Sequence, residues 1–293
     1  MMVRHLALLF VLALIWGSSF VAIKVGVETI PPLTLATGRV VFAALLLWGF
    51  ARLQGQMLPR GKRIWFYCFL IGLMGNGLPF TLINWGEVKI HSGLAAILMA
   101  VMPLVTVVLA HFFTVGDRMT LAKLAGVAFG FGGVFILVGP EALKGLGGDI
   151  WRQLAVSGGA TCYAIAAILT RNMPTGPLIA RSAAVMIAAS VMMVPVSLAF
   201  DAPWTITPST DAVLAGVYLG LFPTAFATIV LFHLLRYRGA SFIAPVNYLI
   251  PVFGVLWGIA ALSEEVSPRA VVALSVILVG MAIAQYQRPS RDG

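Results

Sequence analysis

Asn76, Phe80 and Asn84 recur every four residues, so on a helix they share one face that alternates amides with an aromatic ring. The residues 148 positions further on, Thr224, Thr228 and Phe232, form a second stripe of the same mixed kind. Such walls can hydrogen-bond an amino or carboxylate group and stack on a side chain; the alternative is interhelical hydrogen bonding among ordinary core aromatics. The same offset pairs Met99 with Asn247, beside Tyr248, and Pro103 with Pro251. Methionine adapts its shape to its contacts, which suits a pocket of loose specificity as well as it suits core filling. Trp16 aligns with Tyr163 at an offset of 147, so two amphipathic rings either flank a cavity or simply pack.

Helix-breaking residues are matched as well. Gly75, close to Pro79, aligns with Pro223, and Pro103 with Pro251 marks a second matched pair. Paired Gly/Pro interruptions point to the binding or gating region of a carrier, because freed backbone groups are tolerated in a bilayer only where protein or a wet cavity satisfies them. Close helix packing at glycine is the alternative. Two bases lie in or near apolar segments. Lys24 is far enough along its segment to snorkel to the outer interface, whereas Arg39 has three candidate partners: backbone carbonyls, Glu28 or a substrate carboxylate.

The elements that position these residues follow from composition. Sixty per cent of the 293 residues are hydrophobic and 10% are charged, against roughly 25% charged in a soluble domain. Ten apolar segments approach the roughly 20 residues needed to cross a bilayer. They run from Leu6 to Val27, Leu33 to Leu53, Ile64 to Gly86, Ser92 to Val115, Leu121 to Gly139, Gln153 to Asn172, Leu178 to Phe200, Ala212 to Leu235, Ala240 to Leu262 and Ala270 to Tyr286. The expected fold is an all-α integral membrane protein of ten transmembrane helices in two five-helix repeats, residues 1–146 and 147–293. Five crossings per repeat make the second an inverted copy of the first.

The 19 basic residues are distributed 13 on the side of the N-terminus and four on the other, with Lys24 and Arg39 within or near spans. By the positive-inside rule both termini are cytoplasmic, and the net charge of +9 is a topology signal rather than a nucleic-acid signal. The N-terminal run resembles a signal peptide but lacks a small-x-small cleavage site, so it is read as the first span. Cys68 and Cys162 fall inside spans and indicate neither a disulfide framework nor a metal site; no cofactor is expected. No acidic residue is placed deep in a span, which favours facilitated transport over proton coupling, and His111 and His233 are placed at span ends.

The stretch from Asn84 to Leu137, with WGSSFVAIKVG from Trp16 to Gly26, resembles EamA-type transporters of the drug/metabolite transporter superfamily. The second copy carries a weaker version from Asn247, in which Glu265 stands where the first has Asp117. The resemblance implies a ten-helix inner-membrane carrier, similar to bacterial exporters of amino acids, including aromatic ones. A monomer suffices for this build.

The expected function is therefore export of small neutral and aromatic amino acids by alternating access. The cavity is expected on the axis between the repeats, with an uncharged wall of mixed Asn, Thr, Met and aromatic residues. A broad exporter of small metabolites or drugs is the second reading, and a channel belongs to another class. An intramembrane enzyme is disfavoured because neither an H-E-x-x-H motif nor a paired-aspartate site is present. Reporter fusions after Gly293 and in the loop from Gln54 to Arg63 should both report the cytoplasmic side; a periplasmic signal from either refutes the assigned spans.

Overall fold

The computed structural model describes residues 2–113, 119–138, 149–238, 240–243 and 245–285. The expected boundary between residues 146 and 147, and Asp117, lie outside the described residues. Ten long helical segments follow one another among the described residues, with a short 3-10 turn at Pro203–Thr205. They are α1 Met2–Gly26, α2 Pro32–Leu53, α3 Lys62–Glu87, α4 Ser92–Phe113, α5 Leu121–Val138, α6 Ile150–Asn172, α7 Leu178–Asp201 and α8 Thr210–Arg238, then α9, in two pieces Ala240–Ile243 and Val246–Leu262, and α10 Pro268–Gln285. Seven of them are long and apolar enough to span a membrane, and the apolar stretches of α5, α9 and α10 are slightly shorter. Large apolar side chains such as Leu45, Phe66, Val191 and Val272 remain exposed on the protein, where lipid is the compatible solvent.

Local chemistry sets the segment ends. Pro32 and Pro268 stand in the first turns of α2 and α10, where the missing N–H costs no helical bond. Ser209 caps α8 by accepting a hydrogen bond from Ala212 N, and α9 stops at Ser263 in the left-handed conformation, with φ of 53°.

Helix contacts come in exchanged sets. α1 packs on α9 and α8, just as α6 packs on α4 and α3; α2 meets α7, α5 meets α10, and α3 on α7 mirrors α8 on α2. Adding five to every helix number returns the same set, which is a pseudo-two-fold relation between two five-helix halves. Because each half crosses an odd number of times, that relation is an inversion.

The expected helix interruptions take a specific form. α3 and α8 are not unwound at their Gly/Pro positions; each contains a single π-helical turn, Leu73–Gly77 and Gly220–Phe226. These turns coincide at the 148-residue offset. A π turn widens the helix by one residue and redirects side chains while keeping most backbone groups bonded, and such turns concentrate at functional sites.

At the α5–α10 contact the repeats approach closely. A Cβ added at Gly280 would lie 2.5 Å from Gly130 N and 2.7 Å from Gly126 O, so the two backbones touch directly. Gly132, the partner of Gly280 at offset 148, faces open space, and Gly133 is the residue that packs against Ala273 and Ile277. The register of this contact is therefore shifted by one residue from the sequence alignment. Gly280→Ala should lower the thermal unfolding midpoint in detergent, at a cost of about 1–3 kcal/mol from overpacking. Gly132→Ala should leave that midpoint unchanged.

Candidate functional site

Pro223 has no N–H, so the carbonyl of Leu219, four residues earlier, loses its α-helical donor, and the backbone goes over to the wider π turn from Gly220. The hydroxyl of Thr224 donates to the same Leu219 O at 2.8 Å. Its oxygen then accepts from Arg39 Nε at 2.7 Å, which fixes the guanidinium against α8. The π turn also sends Ala227 N–H to Phe222 O instead of Pro223 O. Trp16 of α1 repairs this second gap, its Nε1 donating to Pro223 O at 3.0 Å. On α3 the corresponding turn directs Leu78 N–H to Leu73 O.

These residues line a cavity of about 390 Å³ between the halves. The volume lies at the lower end of the range for small-molecule sites. From the sequence stripes, Trp16, Gly75, Asn76, Phe80, Met99, Pro103, Tyr163, Pro223, Thr224, Thr228, Asn247 and Pro251 all reach it. The ring of Phe80 meets Tyr163 edge-on with centroids 6.3 Å apart. Neither Asn76 nor Asn247 uses its side-chain amide in a hydrogen bond among the described residues, so both offer donors and acceptors to an occupant.

Arg39 is the group that alters the chemistry. Its side chain is 6% exposed, its guanidinium carbon lies 3.8 Å from the centroid of the Phe80 ring, and no carboxylate pairs with it among the described residues. Stacking on an aromatic face and one hydroxyl bond hold a charge whose burial is otherwise costly. Of its three candidate partners, Glu28 is exposed and forms no ion pair with it. The expected uncharged wall is corrected too: one cation faces the cavity. At the 148-residue offset its counterpart is the apolar Ile187, so the charge breaks the symmetry of the site.

Three other expected site residues lie outside the cavity. Asn84 is buried and donates through Nδ2 to Pro32 O, joining α3 to the start of α2. Tyr248 points away, its hydroxyl bonded to Met281 O on α10 at 2.7 Å, because one residue past Asn247 is about 100° around the helix. Pro79 packs with its backbone against Gly159 of α6. Lys24 reaches the end of the third span, where its Nζ donates to Glu87 O at 2.8 Å and Ile90 O at 2.9 Å, capping the carbonyl end of α3. The wall also includes Phe20, Met102 and Met186, which the stripes missed. Phe20 stands one turn after Trp16 and was legible from that spacing; Met186 carries no break or polar signal.

The placement of acidic residues needs a correction. Glu87, expected beyond the third span, is the last residue of α3 and is 0% exposed.

An all-helical membrane bundle with inverted halves and a cavity where they meet is a transporter architecture. The chain belongs to the EamA-like transporter family, whose profile matches residues 4–139 and again 150–285. It is 30% identical, over 97% of its length, to a protein of Escherichia coli (strain K12) named as the uncharacterized inner membrane transporter YedA, 92% of which is covered. A protein of Streptantibioticus cattleyicolor named a probable terminal-alkyne amino-acid exporter is also 30% identical, over 92% of this chain and 89% of its own. The uncharacterized transporter YoaV of Bacillus subtilis (strain 168) is 26% identical over 96% of each chain. One crystal structure shares the fold at 20% identity, with a TM-score of 0.69 over 96% of this chain and 97% of the other.

Trp16→Phe keeps the ring but strands Pro223 O, and should destabilise the protein by about 1–3 kcal/mol in thermal unfolding. Trp48→Phe, at an exposed position, should not.

Proposed function

We propose that the chain is an exporter of small neutral and aromatic amino acids in a bacterial inner membrane, working by alternating access through the cavity between its halves, with both termini cytoplasmic. The observation that carries this reading is the buried guanidinium of Arg39 in a wall that holds no carboxylate among the described residues. A substrate carboxylate supplies the missing counter-charge, and the bidentate geometry of Arg suits it. The amides of Asn76 and Asn247 offer acceptors to the α-amino group, while Trp16, Phe80 and Tyr163 offer apolar and aromatic surface to the side chain. An acidic or basic side chain would have to enter this wall without a partner of its own, which is unfavourable. The Streptantibioticus relative, by its name, is a probable exporter of a terminal-alkyne amino acid.

Broad export of other small carboxylated metabolites is the second reading, favoured by the adaptable Met99, Met102 and Met186 in the wall. Lipophilic cations are disfavoured by Arg39.

Counterflow in proteoliposomes tests the proposal. Labelled phenylalanine and alanine should enter vesicles preloaded with the unlabelled compound, saturably and with trans-stimulation. Phenylalaninol, which lacks the carboxylate, should compete poorly. Arg39→Gln should weaken half-saturation by at least about tenfold, the equivalent of a charged hydrogen bond of about 1.5–3 kcal/mol. Equal competition by phenylalaninol, or unaltered transport by the variant, refutes the assignment.

A further inference from the structure

The end of the bundle opposite the N-terminus, where α1 finishes at Gly26 and α3 at Glu87, is sealed. Ile23, Ile83 and Ile90 are each at most 3% exposed, and Ala95 and Ala96 are fully buried. Ile23 and Ile83 form the cavity wall on this side, so the apolar layer separates the cavity from the polar groups beyond it.

Those polar groups divide into two sets. The first set is satisfied. Glu264, just past the end of α9, accepts from Ser92 N at 2.7 Å and Gly93 N at 3.0 Å, so a carboxylate of the second half caps the N-terminus of α4 in the first. Lys24 closes the carbonyl end of α3. The second set is not. Both carboxyl oxygens of Glu87, Oδ1 of Asn84 one turn earlier and Oγ of Ser92 are buried without a hydrogen-bond partner.

These are four oxygens and one hydroxyl hydrogen, so the group is short of donors. Lys24 does not supply them, because its Nζ is committed to backbone carbonyls and forms no ion pair with Glu87 within 4.0 Å. The charges that act on Glu87 are Lys24 from α1, Glu264 from beyond α9 and Arg39 from α2. Other ionisable groups on the surrounding elements are engaged elsewhere. Arg152 of α6 donates to Trp85 O and stacks on its ring, Asp201 of α7 accepts from Thr34, and His91 lies 3.8 Å from Glu264.

We propose that Glu87 is a proton-binding site that gates the far end of the transporter: its carboxyl is protonated while that end is sealed and ionises when the end opens to water. A proton on Glu87 turns one of its two unpartnered oxygens into a donor and removes a charge buried without an ion-pair partner. Opening hydrates the group and favours the carboxylate. The sign follows directly. The sealed state binds the proton more tightly, so acid on that side holds the gate shut and higher pH shifts it open. Because the apolar layer lies between Glu87 and the cavity, the proton binds and leaves on the same side. It regulates rate and does not drive accumulation.

Infrared spectroscopy of the purified protein in lipid tests the site without any substrate, so its outcome is independent of the amino-acid reading. A protonated-carboxyl C=O band should be present at neutral pH, where exposed acids are ionised, and Glu87→Gln should remove it. Absence of the band from the wild-type protein overturns the proposal even if the variant fails to fold. In counterflow with equal pH on both sides, wild-type exchange should rise steeply across roughly pH 5 to 8, by up to about tenfold per pH unit where opening limits the rate, whereas Glu87→Gln should be flat. A variant that keeps the wild-type profile, or a wild-type rate that follows sodium when choline replaces it at fixed pH, overturns it. Net accumulation driven by an imposed pH gradient alone also overturns it.

Discussion

A backbone group that loses its helical partner inside a bilayer has no water to turn to, at a cost of several kcal/mol for each orphaned group. Much of the cavity's construction follows from that constraint. Pro223 and the π turn around it deprive the carbonyls of Leu219 and Pro223 of their α-helical donors in the middle of α8, and two side chains bond to them, Thr224 from the same turn and Trp16 from the other half. Each bond places a functional surface. Thr224 becomes the acceptor that orients Arg39, and Trp16 is pinned as one wall of the cavity. The irregular backbone, the cross-repeat hydrogen bond and the position of the cation therefore form one connected arrangement.

Duplication supplies the scaffold, and departures from symmetry supply the chemistry. The two halves exchange helix contacts in matched sets and place π turns at corresponding positions. Yet the offset sets Arg39 against the apolar Ile187, and Asn76 against Thr224. A perfectly symmetric site would place like charges together or none at all. One cation on one side gives a zwitterionic substrate a direction in which to lie.

The far end is held by two polar contacts. Glu264 ties the second half to the N-terminus of α4, and Lys24 ties α1 to the carbonyls at the end of α3. Both contacts join helix termini instead of helix faces. Such contacts resist opening less than close packing like that of α5 on α10, where backbone touches backbone at Gly280. The structure thus combines a contact suited to permanence with one suited to rearrangement.

Composition and length alone determined the membrane class, because 60% hydrophobic residues in bilayer-length runs have no soluble solution. The 148-residue offset determined the inverted repeat, and the stripes on α3 and α8 found Asn76, Phe80, Thr224 and Thr228 of the cavity wall, since helical spacing fixes which residues share a face. Sequence did not decide the π turns. Whether a Gly/Pro position unwinds, kinks or widens a helix depends on which donors its neighbours bring to the freed carbonyls. Nor did it decide that Arg39 faces the cavity without a carboxylate, that Asn84 and Tyr248 turn to Pro32 and Met281, or that Glu87 is enclosed. A charge or amide near a helix end can reach solvent, a carbonyl or a cavity with equal local geometry. The choice is made by groups distant in sequence, such as Thr224 for Arg39, and only the packed structure brings them together.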